Sequence, residues 1–219
     1  MSQARNYNAW MLERARPHLG RRALDVGAGI GTFTEELVRL CDEVVALEPD
    51  PKDLERLRKR FASDPRVAVA GIDAVALADA DLGAPFDSAI CFNVLEHIAD
   101  DTGALNAIHA KLRPGGKLLL LVPAHRLLFG EIDRSLAHVR RYEKRRLRAR
   151  LEAARFGVDE MRHVNPLGAV GWLVSSRILR RPQVPEGPLK LYDKLVPLLS
   201  AADRLPLPFG LSLWAVATK

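Results

Sequence analysis

Over the first 155 residues, short apolar runs alternate with longer amphipathic ones. Ala23-Leu24-Asp25-Val26, Glu43 to Leu47, Val67 to Ala70 and Phe86 to Phe92 have the length and pattern of strands. Thr32 to Leu40 and the strongly charged Lys52 to Phe61 read as helices between them. Thr102 to Leu112 is a further helix, stopped by Pro114-Gly115-Gly116. Leu118 to Val122 is an uninterrupted apolar run, the mark of a strand covered on both faces. Glu143 to Ala154 places Leu147, Leu151 and Ala154 on one helical stripe. Strands alternating with helices predict βαβ units and an α/β, doubly wound, mostly parallel sheet. In such sheets ligands sit beyond the carboxyl ends of the strands, so the residues following each strand are where chemistry is expected.

The pattern changes after residue 156. Gly157 to Val164 predicts a sixth strand. Leu167 to Leu179 and Leu189 to Leu199 read as apolar helices around a joint with Pro182, Pro185 and Pro188, and Pro197 should end or kink the second. Leu211 to Ala217 predicts a closing strand. Two helices before a final strand make a cap, too small to hold a core of its own.

Composition narrows the class. Across 219 residues, 48% hydrophobic and 27% charged positions describe a globular chain and exclude a disordered or fibrous one. Cys41 and Cys91 show no CxxC spacing, which fits a reducing, cytoplasmic setting and neither a disulfide scaffold nor a zinc site. The polar start, Met1-Ser2-Gln3-Ala4-Arg5-Asn6, has no signal-peptide core, and no apolar stretch is long enough to span a bilayer. The net charge of +6 is local: residues 138–155 hold eight Lys/Arg against Glu143 and Glu152, and the remainder balances. That segment is either a solvated helix face or a surface for nucleic acid, lipid or an anionic substrate.

The strongest local signal is Asp25-Val26-Gly27-Ala28-Gly29-Ile30-Gly31-Thr32, directly after the first strand. Gly27 and Gly29 permit a sharp turn and close approach of a ligand; Gly31 lets the next helix pack closely. A dinucleotide fingerprint would need glycine where Thr32 stands, and the Gly-Lys-Ser/Thr of a phosphate loop is missing. The spacing suits a ligand carrying a carboxylate and an ammonium group; a purely structural turn is the alternative. Glu48 ends the second strand, where an acid can take both ribose hydroxyls. Asp73 and Asn93 follow the third and fourth strands, although either residue type also serves as a turn or cap.

Together these residues resemble class I S-adenosylmethionine-dependent methyltransferases over nearly the whole chain. Leu24 to Thr32 looks like that family's first motif. Glu48, Asp73 and Phe92-Asn93-Val94-Leu95-Glu96-His97-Ile98 fall at later motif positions, and Leu112-Arg113-Pro114-Gly115-Gly116-Lys117 resembles its lead-in to the fifth strand. Pro206 to Val216 looks like the family's reversed last strand. The resemblance implies a Rossmann-like sheet of seven strands with that strand reversed, and a helical cap inserted before it. It divides the chain into a lead helix (1–20), a cofactor-binding core (21–164), a cap (165–205) and the last strand (206–219). It also implies S-adenosylmethionine as cofactor, held by Asp25, Gly27, Ala28, Gly29, Gly31, Glu48, Pro49, Asp73, Ala74, Asn93 and Val94, with no metal. Arg5-Asn6-Tyr7-Asn8 resembles the lead of a small-molecule subgroup and is expected to fold over the cofactor.

The expected reaction is methyl transfer to a small-molecule or lipid- or glycan-linked acceptor, on oxygen. A hydroxyl acceptor needs a base. His125, His97 and Tyr142 are the principal candidates, with Asp133 and His138 beside them; each has a structural alternative. His138-Val139-Arg140-Arg141-Tyr142 suggests an anion site or a plain helix lead-in. The cap helices could enclose an apolar acceptor, lie on a membrane with Arg177, Arg180 and Arg181 at the headgroups, or simply pack on the sheet. Two other readings stand against this one: an RNA methyltransferase using the 138–155 segment, and a cofactor-binding protein without catalysis. The chain lacks an appended RNA-binding module, so nucleic acid is not the expected partner. Oligomeric state is not legible.

Overall fold

The computed structural model describes residues 5–183, 187, 192–196 and 208–219. Seven strands form one sheet: β1 (Arg22–Val26), β2 (Glu43–Leu47), β3 (Val67–Ala70), β4 (Phe86–Phe92), β5 (Leu112–Pro123), β6 (Gly157–Val164) and β7 (Ser212–Thr218). Their order is β3-β2-β1-β4-β5-β7-β6. The first five pair in parallel, whereas β7 runs antiparallel between β5 and β6. The expected doubly wound sheet with a reversed last strand is therefore present. The strand order reverses at β1 and β4, so their carboxyl ends open the crevice in which ligands of such sheets bind.

Burial on both faces explains the apolar strands. Along β5, Leu118, Leu120 and Val122 enter the core on one side and Leu119 and Leu121 the other. The first side is closed by α4 (Asp101–Lys111) and α6 (Lys144–Ala153), the latter through Leu147 and Leu151. The second is closed by α1 (Arg5–Ala15) and α2 (Thr32–Leu40), with Met11 and Leu37 against Trp214 and Val216 of β7. Trp214 is fully buried, 5.6 Å from Phe92. Cys41 and Cys91 are buried and free.

The helix expected over Thr102 to Leu112 is present one residue earlier at each end, but the residues expected to stop it are not a turn. α4 ends at Lys111, and Leu112 to Gly116 belongs to β5. The reason is Lys219, just after β7: Gly115 N–H donates to its carbonyl and its N–H donates to that of Gly116, extending the β5–β7 pairing through the glycines. α3 (Pro51–Phe61) starts on Asp50, which accepts from the Lys52 and Asp53 amides. The segment between β6 and β7 begins with α7 (Pro166–Trp172), which widens into a π-helical stretch, Leu173–Ile178. Much of the expected Leu189 to Leu199 helix, with Pro185, Pro188 and Pro197, lies outside the described residues; 192–196 are helical.

Candidate active site

The loop after β1 is built by backbone. Gly27, Gly29 and Gly31 all have positive φ, +73°, +57° and +84°. The three differ in what a side chain would meet. A Cβ on Gly27 would come 2.4 Å from Val94, and one on Gly31 would strike Phe61 and Leu57. At Gly29 nothing lies within 4 Å, so its face is open for a ligand. Gly31 thus serves the packing of α2 on α3, and Gly27 the contact with the loop after β4.

Glu48 fastens this loop. One carboxylate oxygen accepts from Gly29 N–H at 2.7 Å and the other from Asp50 N–H at 2.8 Å. Ala28 N–H donates to the Leu47 carbonyl. Asp25 is buried; the Thr34 hydroxyl donates to it at 2.7 Å, and burial raises its pKa to about 6 despite that bond. Asp73 is exposed and accepts from the Val75 and Ala76 amides through Oδ1, holding a turn in which Ala74 is buried. Pro49 is exposed beside Glu48. Asn93 has φ +54°, and its buried Nδ2 has no hydrogen-bond partner.

A cavity of about 350 Å³ adjoins Asn93. Apolar walls come from Tyr7, Leu136, Leu167 and Trp172, and its polar groups include Glu96, His97, His138 and Arg141. Their arrangement centres on Asp133 of α5 (Glu131–Ser135), which is fully buried. Its Oδ1 accepts from Arg141 Nε at 2.7 Å and meets His138 Nδ1 at 2.9 Å. Its Oδ2 accepts from Gly130 N–H and from the Trp172 indole. Burial alone would raise this carboxyl, but these bonds and the Arg141 charge hold it below its usual value. An ionised Asp133 requires the proton of His138 on Nδ1, leaving Nε2 with its lone pair. That nitrogen lies 3.9 Å from Oε1 of Glu96.

Glu96 is completely buried, and neither carboxylate oxygen has a hydrogen-bond partner. Burial raises its pKa to about 8, so it carries its proton at neutral pH. The His97 ring stands edge-on to His138, centroids 4.8 Å apart. Glu96, His97 and His138 together offer three ligand atoms within 4.8 Å of one another, a geometry able to take a cation. Above the cavity, α1 is tied to the C-terminal region: Asp193 accepts from the Asn6 and Tyr7 amides, and Tyr192 beside it lines the wall.

Of the three principal base candidates, only His97 reaches this cavity. His125 does not line it. Its ring stacks on His163 at 4.6 Å, and its Nδ1 is 3.7 Å from Glu143. Tyr142 is fully buried, and its hydroxyl donates to Asp101 at 3.0 Å. Burial drives that phenol far above its usual pKa, which removes it from acid–base work. The basic segment is also not one free face. Arg141 is buried on Asp133 and over Trp172, while Arg140 and Arg150 both pair with Asp101. The sequence places Glu96 within a motif but does not single it out as a site residue, because an acid within a Leu-Glu-His turn gives no hint of burial. His138 had only its place before the basic helix to recommend it.

A family model described as a methyltransferase domain matches residues 24–118. The chain is 34% identical over 102 residues to a ubiquinone biosynthesis O-methyltransferase from Xanthomonas axonopodis pv. citri, covering 46% of this chain and 42% of that protein. It is 35% identical over 101 residues to another of that name from Methylocella silvestris, covering 46% and 39%. The chain thus aligns with about two-fifths of the length of these relatives. Among solved structures, it resembles the N-methyltransferase NodS from Bradyrhizobium japonicum in complex with S-adenosyl-L-homocysteine. There the TM-score is 0.60 and the identity 20%, over 75% of this chain and 81% of that one. It also resembles an S-adenosylmethionine-dependent methyltransferase from Mesorhizobium loti, with TM-score 0.65 and 18% identity over 97% and 98%. At these identities the structural likenesses are of the fold alone.

Proposed function

We propose that this chain, whose residues 24–118 match a family model described as a methyltransferase domain, uses S-adenosylmethionine to methylate a hydroxyl on an apolar small-molecule acceptor. The observation that carries this reading is the juxtaposition of an open glycine loop fastened by Glu48 with an apolar cavity holding a carboxylate-oriented histidine. The cofactor fits the loop side: Gly29 faces open space and Asn93 Nδ2 is buried without a partner. Asp25, the Gly27 to Gly31 backbone and Asn93 would hold its amino-acid part, Glu48 its ribose, and Asp73 with Ala74 and Val94 its base. When bound, the cofactor supplies an electrophilic methyl group on a sulfonium.

The chain's own residues then supply proton handling and shape. His138 Nε2 takes the proton of the acceptor hydroxyl; Asp133, across Nδ1, fixes the tautomer and stabilises the imidazolium. Arg141 keeps Asp133 ionised and sits over Trp172, so the cavity wall and the proton relay are one construction. Protonated Glu96 offers a hydrogen-bond donor to the acceptor. The apolar walls exclude water, which would otherwise compete for the methyl group. Of the cap expected at 165–205 we read the described part, α7 and its π-helical continuation, as a wall of this cavity, and we read the protein as cytoplasmic. Among the described residues no helix is long and apolar enough to cross a membrane. Transfer of labelled methyl from S-adenosylmethionine to a panel of phenols and apolar alcohols tests the reaction. It should proceed with wild type and fall at least a hundredfold in His138→Ala; transfer only to amines, or none to any acceptor, would overturn the hydroxyl assignment.

A further inference from the structure

The helix that walls the acceptor cavity has a second face. Leu167, Gly171, Trp172 and Ser175 of α7 and its π-helical continuation line the cavity. Ala169 and Ser176 are buried against the body, Ser176 accepting from the Ile132 amide at 3.1 Å. The outward stripe should then be polar, as on an ordinary surface helix. It is not. Val170, Val174 and Ile178 follow one another at four-residue steps and are 54%, 41% and 66% exposed. Leu173 and Leu179 flank them, also exposed. Leu127, 80% exposed, joins the patch through its carbonyl, which accepts from Arg177.

The charges on this face have one sign. From Pro166 to Gln183 the sequence contains no acidic residue and three arginines, Arg177, Arg180 and Arg181. All three are exposed, as is Arg126 beside Leu127. The neighbouring acid on α5, Glu131, is already paired with Arg134. An exposed apolar stripe on a segment that, among the described residues, carries only cations is complementary to an anionic bilayer: hydrocarbon takes the side chains and headgroups take the guanidinium groups. A second copy of this chain placed on the same face by a two-fold axis would instead set arginine against arginine.

We propose that Val170, Val174, Ile178 and Leu127 insert into the surface of an anionic membrane, with Arg177, Arg180 and Arg181 at the headgroups. The cavity lies against the adjoining face of the same helix, within one helix diameter, about 10 Å. An acceptor dissolved in the bilayer therefore reaches the site without crossing bulk water. This goes beyond the methyl-transfer reading and does not depend on it, because docking is read without turnover.

The test is flotation of the full chain with vesicles of phosphatidylcholine alone and with one-third phosphatidylglycerol. Wild type should partition into the anionic vesicles about a hundredfold more than into the neutral ones, from roughly fivefold for each of the three arginines at the surface. Ile178→Asp should reduce that binding about tenfold, and Arg180→Glu with Arg181→Glu should erase the preference for anionic lipid. Unchanged circular dichroism and cofactor affinity in these exposed variants certify the fold. Equal binding of Ile178→Asp and wild type, or no wild-type binding to either vesicle, would overturn the proposal. So would a wild-type dimer that Ile178→Asp converts to monomer in light scattering, which would assign the face to a second copy. Loss of methyl transfer with vesicle binding intact would strike only the proposed reaction.

Discussion

The two sides of the crevice are built by different means. On the cofactor side the parts are contiguous: a strand, three glycines with positive φ, a helix, and one acid, Glu48, whose two oxygens hold two backbone amides. On the acceptor side the parts come from segments spread from Tyr7 to Ser212 and meet only through side chains. Asp133 alone gathers His138, Arg141, Trp172 and the Gly130 amide. A backbone device tolerates change in the residues around it as long as the turn survives. A side-chain hub transmits the loss of any member to the rest.

That contrast can be broken from either side. The largest effect is expected at Gly29→Arg, whose side chain would occupy the open face of the loop. Calorimetry should show cofactor binding abolished, while circular dichroism shows the fold kept. Next is His138→Ala, which should lower the turnover rate about 10²- to 10⁴-fold and leave cofactor affinity unchanged. If affinity falls along with rate, the two sides are not the independent constructions described.

Glu96→Gln tests the buried acid through stability. In the folded chain its pKa is raised from 4.5 to about 8 by burial, whereas the unfolded chain ionises near the lower value. The contribution of the protonated form is complete below pH 4.5 and is lost as pH rises through 8. Measured on chelator-treated protein, Glu96→Gln should match wild type at the acid end. It should be more stable at the alkaline end by on the order of 2–4 kcal/mol, and equal unfolding midpoints at both ends would refute the placement of Glu96. The smallest effect belongs to Tyr142→Phe. Losing its bond to Asp101 should cost about 1 kcal/mol, read as a thermal midpoint lower by a few degrees, with methyl transfer intact. A hundredfold loss of transfer instead would return Tyr142 to the chemistry.

The same contrast explains what could be read from the sequence. Strands such as Leu118 to Val122 show themselves because burial on both faces demands unbroken apolar runs, and the glycine loop shows itself because positive φ demands glycine. Seven strands are legible in this way, whereas the reversal of the last one is what the family resemblance implies. The helix-stop reading of Pro114-Gly115-Gly116 missed a partner at the far end of the chain, Lys219, which draws those residues into β5. In the sequence His125 stands out by following the fifth strand, a rule that works for backbone-built sites, and Tyr142 by its place before the basic helix. Their side chains turn instead to His163 and Asp101. Arg140 and Arg141 looked like free positive charge because sequence does not show that Asp101 and Asp133 fold beneath them.

The central claim, that the loop after β1 grips a sulfonium nucleoside by its amino-acid end, is tested most directly by titrating wild-type protein with S-adenosylmethionine and, separately, with NAD. The account predicts saturable micromolar heat for the first and none for the second. Silence with S-adenosylmethionine, or binding of NAD in the same pocket, would contradict it.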